Sequence, residues 1–236
     1  MSRLVLFDID GTLVLTGGAG VRAMNRAGES VLGVPNILDG IQIAGRTDWI
    51  IFRDALDKAG RELDAELFAR LREAHVANLQ EEIVRAGEGV KAVMPGVREL
   101  LTALQSREDV FLGLLTGNFQ EAARIKLEHF DLWRHFPCGA FGDDAADRTD
   151  LVPFALERAR ACGLRDVEFE HVVVVGDTPH DIACARAVGA VPVAVATGTY
   201  TAEQLRQSGA EYVFTDLRDI AAFVSVLDAN GNSSRR

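Results

Sequence analysis

Four consecutive valines at positions 172–175 are the feature that most constrains the fold of this chain. An uninterrupted β-branched run suits a strand buried on both faces, as in a parallel sheet covered by helices. Other apolar runs occur at Arg3–Phe7, Val110–Leu115, Val191–Val195 and Tyr212–Phe214. Helical patterns lie between or after these runs, at 96–106, 119–129, 150–162, 179–188 and 216–227. The alternation predicts an α/β fold with a doubly wound parallel sheet.

One segment interrupts the alternation. Between about residues 16 and 89, apolar side chains recur at helical spacing and no strand pattern is convincing. Glycines flank the segment at positions 17, 18, 87 and 89, so both ends resemble hinges. We predict an α/β core formed by residues 1–15 and 90–228, a helical cap formed by 16–89, and a flexible tail at 229–236. The cap is expected to cover the carboxyl-terminal edge of the sheet, where ligands bind in open α/β folds.

Charge and composition argue against several functional classes. The formal net charge is -10, so the basic footprint of a nucleic-acid-binding protein is missing. No uncharged apolar stretch reaches the roughly 18 residues that span a bilayer, and the first residues do not form a signal peptide. We therefore expect a cytoplasmic protein that binds neither nucleic acid nor membrane. Whether it is a monomer or a dimer stays open.

Two pairs of aspartates follow predicted strands. Asp8 and Asp10 end the first strand, and Asp177 and Asp181 follow the valine run. At about 4 Å and an effective dielectric constant near 20, two like charges repel by roughly 4 kcal/mol. Such crowding needs a cation, a shared proton or hydrogen-bond donors, and a divalent ion held by carboxylates would supply the charge. Ordinary helix and turn capping by Asp is the alternative for either pair alone.

A third strand end carries a different set of groups. Thr116, Gly117 and Asn118 follow the run Val110–Leu115 and precede a helix. A hydroxyl, a glycine and the amides of a helix N-terminus form an anion site of phosphate size, although simple capping is the stronger explanation when these residues are considered alone. Arg148 precedes the next helix and is a candidate for a fixed cation, or else a solvated surface residue.

Together these pieces resemble the haloacid dehalogenase superfamily. Residues 8–12 match its first motif, DxDGT, residues 116–118 match the second, and residues 176–181 match the fourth, GDxxxD. The motifs occur in order over nearly the whole chain. The insert after the first motif resembles the helical cap of the phosphoglycolate phosphatase and β-phosphoglucomutase branch.

The resemblance implies a role for each motif residue. Asp8 would attack phosphorus and form an aspartyl phosphate, while Asp10 would protonate the leaving alcohol and then activate water. Magnesium would be bound by the side chains of Asp8 and Asp177 and by the backbone carbonyl of Asp10, with support from Asp181. Thr116 and Arg148 would contact the transferring phosphoryl group. The remaining substrate-binding candidates are Gly11, Thr12, Gly117 and Asn118.

Two positions leave the family comparison open. The third motif is usually Lys, and here Arg148 is the best-placed residue, which keeps the charge but not the shape. Lys126 is the alternative, but it sits in the middle of a helix at an unsuitable distance from the fourth motif. In the cap, Arg46 follows Gly45 in a loop that resembles the substrate-facing loop of this branch, although a surface position at a helix N-terminus is equally compatible.

The function that the resemblance implies is a magnesium-dependent phosphatase of a small phosphorylated metabolite, similar to phosphoglycolate phosphatase. A phosphomutase of the β-phosphoglucomutase type is the alternative, because it shares every core motif. Dehalogenation is disfavoured because those relatives lack an acid at the position of Asp10. A non-catalytic binding protein is disfavoured because Asp8, Asp177 and Asp181 are all present.

Overall fold

The computed structural model describes residues 2–87, 89–165 and 167–230. Its strands are β1 Arg3–Phe7, β2 Val14–Thr16, β3 Lys91–Val93, β4 Val110–Leu115, β5 Cys138–Ala140, β6 Val172–Gly176, β7 Val191–Val195 and β8 Tyr212–Phe214. Six of them form one sheet in the order β5-β4-β1-β6-β7-β8. Every neighbouring pair in this sheet is parallel. The predicted doubly wound parallel sheet is therefore confirmed.

Helices cover both faces of the sheet. They are α1 Ala19–Leu32, α2 Asp48–Lys58, α3 Ala65–Val84, α4 Val97–Gln105, α5 Gln120–His129, α6 Leu151–Ala161, α7 Pro179–Ala187, α8 Ala202–Gln207 and α9 Ile220–Asn230. Val173 and Val175 of β6 pack in a core cluster with side chains of α4 and α9. Val172 and Val174 pack in a second cluster, with side chains of α6 and α7. The valine run is thus buried on both faces, which explains why it lacks the polar alternation of a half-exposed strand.

Helices α1, α2 and α3 lie between β2 and β3 in the chain. Their apolar faces form a separate cluster that includes Phe52, Leu56, Leu71 and Leu79. At the base of this helical segment β2 and β3 pair as a short antiparallel ribbon, with Thr16 opposite Lys91. The ribbon was not predicted, because its formation depends on the pairing of two short segments that are far apart in the chain.

The helical segment is joined to the sheet by direct hydrogen bonds. The backbone N–H of Asp48, at the start of α2, donates to the carbonyl of Gly117 at 2.8 Å. The hydroxyl of Thr47 donates to the carbonyl of Ala146 at 2.7 Å. Phe119, just before α5, packs inside the helical cluster and stacks on Phe52. Phe119, which belongs to the α/β core in the chain order, is therefore part of the hydrophobic core of the helical segment.

Helix α9 continues to Asn230, two residues into the segment predicted as a tail, and residues 231–236 lie outside the described residues. Among the helices that the structure describes, none combines the length and apolar character needed to cross a bilayer.

Candidate active site

Three adjacent strands deliver the motif residues to one edge of the sheet. Asp8 follows β1, Thr116 follows β4 and Asp177 follows β6, and β1 lies between the other two. The Asp8 N–H donates to the carbonyl of Val175 at 2.9 Å, which extends the β1–β6 pairing to the point where both strands end. The carboxyl ends of parallel strands meet at one edge, so residues more than 100 positions apart in sequence converge.

Three carboxylates form a buried cluster at this edge. Asp8, Asp177 and Asp181 each place an oxygen within 4.8 Å of the others, and all three are buried. The hydroxyl of Thr12 donates to Asp177 Oδ1 at 3.1 Å. Asp181 also accepts from the backbone N–H of Thr178 at 3.0 Å, as the capping box of α7 requires. Asp181 therefore caps the N-terminus of α7 and is also a member of the carboxylate cluster.

Burial and repulsion shift the acidity of this cluster. Desolvation raises the pKa of Asp8 to about 6, although the charge of Arg148 acts in the opposite direction. Desolvation, with repulsion from Asp8 and Asp181, raises the pKa of Asp177 to about 8. The positive charge of the protein at this position is therefore too small to balance the ionised carboxylates. Oxygen donors in such an arrangement fit a divalent cation such as magnesium.

Arg148 is the cation that the protein itself places in the cluster. It lies in a single turn of 3-10 helix, Arg148–Asp150, and is 5% exposed. Its Nη2 lies 2.8 Å from Asp8 Oδ1 and also donates to Asp181. Among the described residues, none accepts a hydrogen bond from its Nε. The predicted cation at this position is therefore beside the predicted nucleophile.

Asp10 is separated from the three-carboxylate cluster. Its Oδ2 accepts hydrogen bonds from Lys126 Nζ at 2.6 Å and from Asn118 Nδ2 at 2.9 Å. Asn118 Nδ2 also donates to the hydroxyl oxygen of Thr116 at 2.7 Å. Asp8 and Asp10 are each paired with a separate cation, and the charge of Asp10 still contributes to the raised pKa of Asp8.

The cap loop and the second motif are in direct contact. A Cβ on Gly117 would collide with the backbone carbonyl of Arg46, so glycine is required there by the close approach of two chains. Gly11 adopts a left-handed φ of 86°, and its carbonyl accepts from the hydroxyl of Thr197 at 2.6 Å. The side chain of Arg46 forms an ion pair with Asp54 at 2.6 Å. Its guanidinium is therefore already engaged within the helical segment.

A cavity of about 770 Å³ connects these groups. Its lining includes the charged residues Asp8, Asp10 and Arg148 and also apolar side chains of the helical segment, among them Met24 and Ile51. Arg46 also lines the cavity. All predicted site residues except Thr12 and Asp181 line it, and these two lie immediately behind, bonded to Asp177 and Thr178.

The buried residues Asp48 and His75 at the cavity were not predicted as site residues. Asp48 accepts from the N–H of Phe119 at 2.8 Å, and its carboxylate lies 3.9 Å from His75 Nε2. Desolvation raises the pKa of Asp48 to about 7, against the opposing charge of Lys126. Desolvation, reinforced by the charge of Lys126, lowers the pKa of His75 to about 3. At neutral pH the imidazole is therefore uncharged, and the 3.9 Å contact is not an ion pair.

The comparisons with known proteins agree with this geometry. The family model for haloacid dehalogenase-like hydrolases matches residues 2–189. The phosphoglycolate phosphatase of Rhodospirillum rubrum is 30% identical over 236 residues, which covers 98% of this chain and 95% of that protein. The crystal structure of a hydrolase from Pseudomonas syringae superposes with a TM-score of 0.71 at 22% identity, covering 96% of this chain and 99% of the other.

A putative β-phosphoglucomutase from Thermotoga maritima has the same fold, with a TM-score of 0.60 at 23% identity and coverage of 96% and 100%. The chain belongs to the haloacid dehalogenase-like hydrolase family. The family, the branch and the enzyme class predicted from the motifs are therefore confirmed.

Proposed function

We propose that the chain is a magnesium-dependent phosphatase that hydrolyses a small phosphorylated metabolite through an aspartyl phosphate on Asp8. The observation that carries the proposal is the cluster of Asp8, Asp177 and Asp181 around a position that one buried arginine does not neutralise. A phosphate dianion could not approach three carboxylates without added positive charge. The similarity to phosphoglycolate phosphatases supports the same reaction class.

The metal-binding residues proposed are Asp8 and Asp177 through their side chains, Asp10 through its backbone carbonyl, and Asp181 as support. When bound, magnesium supplies positive charge that offsets the phosphoryl oxygens. Arg148 adds a fixed positive charge beside Asp8. Because its guanidinium is buried, it is already in position before the reaction and does not have to be ordered during it.

The proposed chemistry proceeds in two steps. A carboxylate oxygen of Asp8 attacks phosphorus, the bond between phosphorus and the leaving oxygen breaks, and Asp10 gives its proton to that oxygen. Asp10 then takes a proton from a water molecule whose oxygen attacks the phosphorus of the aspartyl phosphate. The bond to Asp8 breaks, phosphate leaves, and Asp10 is protonated again, so the cycle closes.

Thr116, Gly117 and Asn118 are proposed to bind the transferring phosphoryl group, with Gly11 and Thr12 on its other side. Thr116 and Asn118 are buried next to Asp10 and present a hydroxyl and an amide at the N-terminal end of α5. Hydrogen-bond donors at such a helix end favour anions. Arg46 is a further candidate for substrate contact from the cap loop, provided that the substrate displaces Asp54 from it.

The experiment that tests the proposal is phosphate release from a panel of phosphate monoesters, with phosphoglycolate and sugar phosphates included, in the presence of magnesium or EDTA. Asp8→Asn removes the nucleophile and should lower turnover by several orders of magnitude, as nucleophile removal generally does. Asp131→Asn is the matched control, because Asp131 is exposed in the turn after α5 and asparagine tolerates its left-handed φ of 57°.

Equal activity of Asp8→Asn and the unchanged chain would contradict the assigned nucleophile, and full activity in EDTA would contradict the metal. The same panel separates the phosphatase from the phosphomutase alternative. Formation of an isomeric sugar phosphate without free phosphate would identify a mutase.

A further inference from the structure

Lys126 is a buried lysine at the active-site cavity, and it lies outside the matched motifs at residues 8–12, 116–118 and 176–181. It lies in α5 and is 5% exposed. Its Nζ donates to Asp10 Oδ2 at 2.6 Å and to Asn118 Oδ1 at 2.6 Å. Removing an ammonium group from water costs several kcal/mol unless it is paired and hydrogen-bonded, and both of its partners here are residues of the proposed site.

The contacts of Lys126 fix one oxygen of Asp10 and leave the other unengaged. Oδ2 receives Lys126 and Asn118 together, whereas no described residue donates a hydrogen bond to Oδ1. The side chain of Asp10 is 43% exposed and lines the cavity. The carboxyl group is thus held from behind by a charged and a neutral donor, with one oxygen available.

The buried cations Arg148 and Lys126 contact different carboxylates of the site. Arg148 contacts Asp8 and Asp181, while Lys126 contacts Asp10 and Asn118. Helix α1 closes over the lysine, because a Cβ on Gly20 would lie 3.4 Å from Nζ. Within the described residues, the hydrogen bonds of the ammonium group therefore go to Asp10 and to Asn118 of the second motif.

We propose that Lys126 is a positioning residue that holds Asp10 by Oδ2, so that Oδ1 exchanges the proton with the leaving group and with water. This inference rests on the proposed phosphatase function. In the first step the proton passes from Asp10 to the oxygen of the departing alcohol as its bond to phosphorus breaks. In the second step Asp10 takes a proton from the attacking water, so the lysine itself neither gains nor loses one.

The test compares two esters of similar size whose leaving groups differ in their need for a proton. 4-Nitrophenolate leaves as a stable anion, whereas phenolate is a poorer leaving group that gains more from general acid catalysis. Single-turnover release of nitrophenol and phenol is measured with excess protein and magnesium, so that cleavage of the ester is separated from hydrolysis of the intermediate. The variants are Lys126→Met, Lys126→Gln and Asp10→Asn. Arg124→Met is the control, as Arg124 is exposed on the same helix and paired with Glu121.

We expect Lys126→Met to lower phenol release about 100-fold or more, the usual contribution of a positioned acid, and to leave nitrophenol release close to the unchanged rate. Asp10→Asn should show the same selectivity, and the double variant should be no slower than Asp10→Asn alone, because both changes act through one group. Equal losses on both esters, or no loss on either, would overturn the positioning role.

The result also distinguishes this inference from the proposed function. Magnesium-dependent release that disappears in Asp8→Asn upholds the phosphatase whatever Lys126 does, whereas release that survives in Asp8→Asn overturns the phosphatase mechanism and the inference with it. Loss of cooperative unfolding in both lysine variants would assign Lys126 to structure alone and would also overturn the positioning role.

Discussion

Replacing Arg148 by lysine and by methionine separates the charge of this side chain from its shape. A single nitrogen, Nη2, contacts both Asp8 and Asp181, and Nε has no hydrogen-bond partner in the described part of the chain. The bidentate geometry that distinguishes arginine from lysine is therefore not used. Arg148→Lys should retain activity to within about tenfold, which corresponds to about 1.4 kcal/mol in the barrier.

Arg148→Met removes the charge while keeping an unbranched side chain. Two buried carboxylates then lose their partner, and breaking a buried ion pair from one side costs about 3–5 kcal/mol. Loss of a fixed charge beside the reacting group should lower turnover by about 100- to 1,000-fold. Without the arginine the cluster is one charge more negative, so magnesium should stabilise this variant more than it stabilises the unchanged protein.

The assay is urea unfolding in EDTA and at increasing magnesium concentration, with phosphate release measured on the same samples. Arg134→Met is the control, because Arg134 forms an exposed ion pair with Asp131 and its loss should leave stability unchanged. If Arg148→Lys were as inactive as Arg148→Met, guanidinium geometry rather than charge would be essential. If Arg148→Met unfolded in EDTA at the same urea concentration as the unchanged chain, the buried pair would not contribute to stability.

Three further predictions test the site and its attachment to the helical segment. Magnesium chloride should raise the melting temperature of the protein, and Asp177→Asn should abolish that increase; a rise that persists in the variant would place the ion elsewhere. His75→Phe should gain stability relative to the unchanged chain by about 1.4 kcal/mol per pH unit as the pH falls from 6.5 towards 4, measured by urea unfolding. The pKa of His75 is about 3 in the folded chain and 6.5 in the unfolded chain, so the unfolded chain takes up a proton first as the pH falls. The unchanged chain therefore has its full stability above pH 6.5 and loses stability below it, whereas the phenylalanine variant does not. A stability difference that is independent of pH would contradict that pKa. Phe119→Ala should cost about 3–5 kcal/mol in thermal unfolding, because the ring is fully buried between helices and stacks on Phe52, and a loss below 1 kcal/mol would show that the helical segment does not depend on it.

The strands predicted from sequence are those that form a continuous apolar run in the chain. The residues of β1 and β6 are buried on both faces of the sheet, and each was recognised with its bounds nearly correct. Strand β5, with the sequence Cys-Gly-Ala, has low strand propensity and exists because it pairs with β4 at the sheet edge. Its formation depends on tertiary pairing, which a local pattern does not contain.

The motif residues of the site were predictable for a related reason. Asp8, Thr116 and Asp177 each follow a strand directly, so their place at the sheet edge is fixed once the strands are known to be parallel and adjacent. Asp48 and His75 lack that relation to the sheet. They lie in helices of the inserted segment, and they reach the cavity only because Thr47 and Phe119 join that segment to the sheet layer.

Lys126 shows how the length of a side chain extends its reach beyond the backbone position. In the sequence it lies in the middle of a helix, at an unsuitable distance from the fourth motif, and six residues of helix correspond to about 9 Å along the axis. Helical side chains, however, point back towards the N-terminus, and a lysine is long enough to recover most of that distance. The sequence did contain a signal: Lys126 falls at helical spacing on the same face as Ala122 and Ala123, an apolar stripe that is buried. A charged residue within a buried stripe needs a partner of opposite charge, and the acid that forms an ion pair with Lys126 is Asp10, at 2.6 Å.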